Sequence, residues 1–161
     1  MDIDLLVVDD EGGIREMLTR LAETAGATCC AVATGEAGLE LLRGGARFRV
    51  LLADYCLEGM DGIEFLEAAR ELTPGATRVL FTGIDQARVA QEATLRARVS
   101  YFLVKPVGLA ELRQVLSDVL HPADVTDRAP AEGAVQAYRK QHRQKELEEM
   151  LGRVPGRRGS R

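Results

Sequence analysis

The stretch Asp4–Gly13, DLLVVDDEGG, runs through four apolar residues into three consecutive acids and then two glycines. Leu5–Val8 read as a strand buried on both faces. Two like charges about 4 Å apart repel by roughly 4 kcal/mol at an effective dielectric near 20. Adjacent carboxylates at the end of a buried strand therefore call for open solvent or for a cation between them.

Further β-rich runs follow at intervals: TCCAVA at 28–33, FRVLLA at 48–53, TRVLFT at 77–82 and YFLV at 101–104, beside IDLLVV at 3–8. The first, third and fourth in chain order are too apolar for half-exposed hairpins. Between them, Ile14, Met17, Leu18, Leu21 and Ala25, then Ala37, Leu41 and Leu42, then Ile63, Leu66, Ala69 and Leu72 recur at helical spacing. Residues 85–97 carry the weakest stripe, Val89 and Leu95 among Ala, Arg and Gln, and Leu109, Leu112, Leu116, Val119 and Leu120 form the last. Five strands alternating with five helices predict an α/β fold, a doubly wound parallel sheet with helices on both faces. Ligands of such sheets lie outside the carboxyl ends of the strands. Those ends hold Asp9, Asp10 and Glu11, then Asp54, then Thr82 and Gly83, then Lys105 and Pro106.

This body spans residues 1–120. HPADVTDRAPAEG, from His121, reads as a linker, followed by a helical stretch near 132–151 with a broken apolar stripe and a basic end, GRVPGRRGSR, expected to be disordered. Residues 1–120 carry 12 basic and 19 acidic side chains, net −7, and residues 121–161 carry 9 and 6, net +3. The body is thus a poor nucleic-acid binder, and about 40 residues are too few for a winged-helix reader, so DNA binding is not expected. No apolar run approaches the roughly 20 residues of a membrane span. With no secretory signal pattern either, the reading is cytoplasmic. Cys29, Cys30 and Cys56 give no disulfide framework and no zinc spacing, and the neighbours Cys29 and Cys30 should point to opposite sheet faces.

Arginine outnumbers lysine 18 to 3, and Lys105 is the single lysine in the first 139 residues. Three aspartates, a hydroxyl and this compact point charge at one sheet edge suit a phosphoryl group handled on a divalent cation. Magnesium takes hard oxygen ligands and keeps several waters. Asp10 and Asp54 are expected as direct ligands and Asp9 as a water-mediated one. Asp54, with no acid beside it, is the expected nucleophile. The blander readings are Asp10 as a cap for a helix starting near Gly12, Thr82 as an ordinary strand residue and Phe102 as core filling.

VVDDEGGIRE, LLADYCLEGMDGIEFL, VLFTG and YFLVKP, in this order and spacing, resemble the receiver domain of bacterial two-component response regulators, in particular its chemotaxis-regulator-like members, over about residues 1–120. The resemblance implies a flavodoxin-like strand order 2-1-3-4-5 and phosphorylation of Asp54. It also implies magnesium on Asp9, Asp10, Asp54 and the Cys56 carbonyl, phosphoryl contacts from Thr82 and Lys105, and a switch aromatic at Phe102. The implied partners are a sensor histidine kinase or phosphotransfer protein, a downstream protein target or an output domain outside this chain, and a second copy in a homodimer. Such a module catalyses its own phosphorylation and dephosphorylation and is not otherwise an enzyme. Two positions depart from the family pattern: Glu58 stands where proline is usual, and Phe102 where tyrosine is. Two other classes compete. One is a phosphate-independent scaffold of the same fold. The other is a phosphatase of the haloacid-dehalogenase kind, whose second acid, two residues after the nucleophile, is Cys56 here.

Overall fold

A computed structural model describes residues 2–83, 87–105 and 109–121. The expected linker, helix near 132–151 and basic end lie outside the described residues. The elements are β1 (Asp2–Val8), α1 (Gly12–Thr24), β2 (Cys29–Val32), α2 (Gly35–Arg43), β3 (Arg47–Asp54), α3 (Gly62–Leu72), β4 (Thr77–Thr82), α4 (Ala87–Glu92), β5 (Tyr101–Val104) and α5 (Leu109–Leu120). A π-helical turn, Ala93–Ala97, continues α4. All strands are parallel in the order β2-β1-β3-β4-β5, as the resemblance implied. No helix among the described residues is long and apolar enough to cross a membrane.

The continuous apolar runs are explained by a sheet covered on both sides. Leu6, Val8, Leu51, Ala53, Leu80 and Phe102 face α2, α3 and the α4 segment. Their neighbours Leu5, Val7, Val50, Leu52, Val79, Phe81 and Leu103 face α1 and α5. Leu5 to Val8 are all fully buried, each worth roughly 1.5–3 kcal/mol of transfer free energy. Cys30 packs on the first face and Cys29 on the second, as the period of two requires, and all three cysteines are unpaired.

Helix starts follow local chemistry. Thr34 caps α2 by accepting from the Ala37 N–H at 3.2 Å. Asp61 and Glu64 form a reciprocal capping box at α3, each backbone N–H donating to the other's carboxylate at 2.9 Å. At α1 the blander reading of Asp10 as a cap does not hold: Glu11 occupies the cap position without a side-chain bond. Along α4 the buried positions are Val89, Ala93 and Ala97, four residues apart. Leu95 falls between them and is 72% exposed, so it does not belong to the inward stripe. At the opposite edge of the sheet, Arg49 on β3 donates to Asp4 Oδ1 at 3.0 Å and to the Leu120 carbonyl at 2.6 Å. Asp4 also accepts from the Thr28 backbone and hydroxyl, both at 2.9 Å. One guanidinium thereby joins β1, β3 and the end of α5.

Candidate functional site

The parallel register ends β1 and β3 side by side, with Val8 opposite Ala53, so Asp9 and Asp54 emerge together at the carboxyl edge. Asp9 is fully buried and Asp54 is 5% exposed, whereas Asp10 lies in solvent. Carboxylate oxygens of all three lie within 4.8 Å of one another. Every polar group of Asp9 is held: its N–H donates to Val32 O at 3.1 Å, its Oδ1 accepts from Glu11 N at 2.8 Å, and its carbonyl accepts from Arg15 Nη1 at 2.7 Å. Asp10, one residue on, is not the cap of the helix. It sits at the mouth of an acidic cluster, and the turn is satisfied by Asp9 instead.

Lys105 reaches this cluster from the end of β5. Its Nζ stands 3.4 Å from Asp9 Oδ2 and 3.5 Å from Asp54 Oδ1, over the Phe81 ring at 4.8 Å from the centroid. The Lys105 N–H donates to the Thr82 carbonyl at 2.7 Å, which sets the lysine beside fully buried Thr82 at the end of β4. Burial pushes the Asp54 carboxyl above the ordinary range; Lys105 opposes this, and the charges of Asp9 and Asp10 add to it. The donor set fits a hard divalent cation, since three carboxylates converge with one ammonium between two of them, leaving net negative charge.

The loop after β3 is fixed by backbone bonds: Tyr55 N–H donates to Phe81 O at 3.0 Å, and Tyr55 O accepts from Gly62 N at 3.0 Å. Gly62 opens α3 so close to Asp54 that a Cβ there would overlap the Asp54 carbonyl. Gly59 takes φ +84, a conformation that glycine adopts without strain, so the turn forms with Glu58 in place of proline. Cys56 is an exposed residue whose thiol is partly desolvated, and that desolvation, followed by the Asp54 charge, raises its pKa and disfavours the thiolate. Phe102 is 1% exposed in the core shared with Leu80, Val89 and Ala97.

Residues 5–117 match the family described as response regulator receiver domain. The chain belongs to that family. This receiver is 32% identical over 111 residues to an uncharacterised 14.6 kDa protein of Leptolyngbya boryana, covering 68% of this chain and 84% of that one. It is 27% identical to sporulation initiation phosphotransferase F of Bacillus subtilis, over 74% of this chain and 95% of the relative. Against the transcriptional regulatory protein ZraR of Escherichia coli it is 29% identical over 84% of its own length, but it spans only 30% of that relative. Among solved structures, a CheY-like receiver domain protein from Methanospirillum hungatei superposes with TM-score 0.69 at 27% identity, covering 76% of this chain and 96% of that one. The receiver is thus a signalling module of two-component systems.

The structure gathers Asp9, Asp10, Asp54 and Lys105 into one cluster, sets Thr82 beside it at the end of β4 and leaves Phe102 in the core. Arg15, Glu11 N–H and Gly62 also shape the site. Their signal in the sequence is only that they flank the acids: a main-chain contact leaves no pattern of residue types.

Proposed function

We propose that this receiver accepts a phosphoryl group on Asp54 from a phosphohistidine of a sensor kinase or phosphotransfer protein, and that the modified state is read by a downstream protein or an output domain. The observation that carries this reading is the Lys105 ammonium held between Asp9 and Asp54 at the carboxyl edge of the sheet. An Asp54 carboxylate oxygen attacks phosphorus, the P–N bond of the donor breaks, and its electron pair returns to the imidazole. Lys105 and the Thr82 hydroxyl then stabilise the equatorial oxygens. Asp9, Asp10 and Asp54, with the Cys56 carbonyl, would hold magnesium, which would supply further positive charge to the phosphoryl oxygens. Because Asp54 is buried, its negative charge is costly there, and a cation held by the same carboxylates would offset that cost.

Catalysis is confined to this self-modification and its hydrolysis. The acidic body disfavours nucleic acid as a partner, and the expected compartment is the cytoplasm. The readout runs through Thr82 and Phe102 to the face made by α4, β5 and α5. Acetyl phosphate with magnesium should add one phosphoryl mass to the wild type and none to Asp54→Asn, read by intact-mass spectrometry. Equal labelling of both would remove Asp54 from the role, and labelling of neither would favour the phosphate-independent scaffold.

A further inference from the structure

Arg15 sits where a helix disfavours a cation: in the first turn of α1, beside the positive end of the helix dipole. The half-buried side chain runs back toward the end of β1. Its Nη1 donates to the Asp9 carbonyl at 2.7 Å, and its Nη2 passes Gly12, 3.6 Å from where a Cβ would stand. The Arg15 N–H donates to the Glu11 carbonyl at 3.1 Å, and the Glu11 N–H donates to Asp9 Oδ1 at 2.8 Å. Residues 9–15 thus form a closed circuit in which Arg15 is bonded to Asp9 and to Glu11, with Asp10 between them.

The Asp9 carbonyl belongs to the peptide before Asp10, and the Glu11 N–H to the peptide after it. Each unit is planar, so a bond to one of its atoms orients the whole plane. Two planes fixed on either side of one Cα leave the φ and ψ of Asp10 little room, and they set the direction in which its carboxylate leaves the chain. Asp9 has its strand bond to Val32 and its burial to hold it besides. Asp10 lies in solvent, where a side chain keeps the freedom that binding a cation would take from it.

We propose that Arg15 is a positioning residue for magnesium: by holding the peptide between the two acids it presents Asp10 toward Asp9 and Asp54, whose carboxylate oxygens lie within 4.8 Å of its own. The role rests on the reading that these three acids hold the cation. The guanidinium has two effects of opposite sign. Its charge repels a cation, and its grip orders the ligands. Replacing it therefore tightens magnesium binding if the charge dominates and weakens it if the grip does.

Melting curves of the full chain over a magnesium titration read the affinity. Arg15→Met should weaken binding about tenfold although it removes a positive charge, as loss of a partner that orients metal ligands allows. Arg20→Met, which takes a charge from an exposed pair on the same helix, should not weaken it. Arg15→Lys, which keeps the charge without the fork, should fall between. At saturating magnesium, acetyl phosphate should label Arg15→Met at the wild-type rate, with the deficit confined to low magnesium. Wild-type or tighter binding in Arg15→Met would overturn the positioning role, as would a labelling deficit that persists at saturation. If Arg15→Met does not fold, Arg15→Lys decides by the same titration: weaker binding supports the role and unchanged binding overturns it. A wild type whose melting ignores magnesium would remove the cation site and the role together. Equal labelling of wild type and Asp54→Asn, with the titration results as expected, would remove the acceptor reading and leave Arg15 in place.

Discussion

Asp54 carries an electrostatic conflict, a carboxylate 5% exposed that lies near two others, with a lysine between it and Asp9. Its folded pKa is raised, so the native state holds its proton more firmly than the unfolded chain does. Stability from this group is therefore lost as pH rises from the ordinary carboxylate range through the raised value, and at neutral pH the ionised group opposes folding. Asp54→Asn is expected to stabilise the metal-free protein at pH 7 by roughly 1 kcal/mol, a few degrees in Tm, with the gain fading near pH 3 and shrinking when magnesium is added. Melting curves at pH 3 and 7, with and without magnesium, check this; equal Tm values at pH 7 without metal would refute it. The acids themselves were legible because each follows a run of buried β-formers, so strand end and charge coincide in the sequence. What orients Asp9 was not legible. The Arg15 side chain and the Glu11 N–H reach it through contacts that depend on how α1 leaves the strand.

At the level of elements, the apolar periodicity located every strand to within a residue or two and most of the inward stripes of α1, α3 and α5, although Ala25 and Leu72 are exposed. On α4 it found only a weak stripe, and the reason is physical. Alanine buries little area, so a helix anchored by Val89, Ala93 and Ala97 shows a faint stripe, and its last carbonyls, of Arg96 and Ala97, are held by Arg70 and Arg78, residues distant in sequence. Leu95 looked like part of the stripe by composition, but its place between the buried positions turns it outward. The left-handed closure at Arg98, φ 48, is also unsignalled, because glycine is the usual residue there. An L-residue in that conformation costs about 1–2 kcal/mol, and glycine gives back part of the gain through a freer unfolded chain. Arg98→Gly should thus raise stability by about 0.5–1 kcal/mol in chemical denaturation, and Arg98→Ala should not. A loss of stability in Arg98→Gly would show that the arginine side chain contributes more than the backbone strain costs.

For the molecule as a whole, strict alternation of strands and helices was enough to predict a two-faced parallel sheet, whereas the strand order came from family resemblance, since periodicity says nothing about which strands are neighbours. The two ends of the sheet have opposite characters. One gathers like charges; the other holds Asp4, whose carboxyl is kept below its ordinary value first by the Thr28 backbone, then by the Thr28 hydroxyl and Arg49. A depressed carboxyl adds stability above its unfolded pKa, near 4, and loses it as pH falls through the folded value. The stability difference between wild type and Asp4→Asn should accordingly be constant from about pH 5 to 7 and close below about pH 4, as followed by urea titration at each pH; a difference that persists at the acid end would exclude the ion pair as its source. Through the same arginine, the Leu120 carbonyl is tied to β1 and β3. Whatever the chain does beyond that point, it sets out from a mooring on the quiet side of the sheet, remote from the acids. Under the acceptor role proposed for Asp54, its message would be written on the flank of the sheet, for a visitor to read by touch.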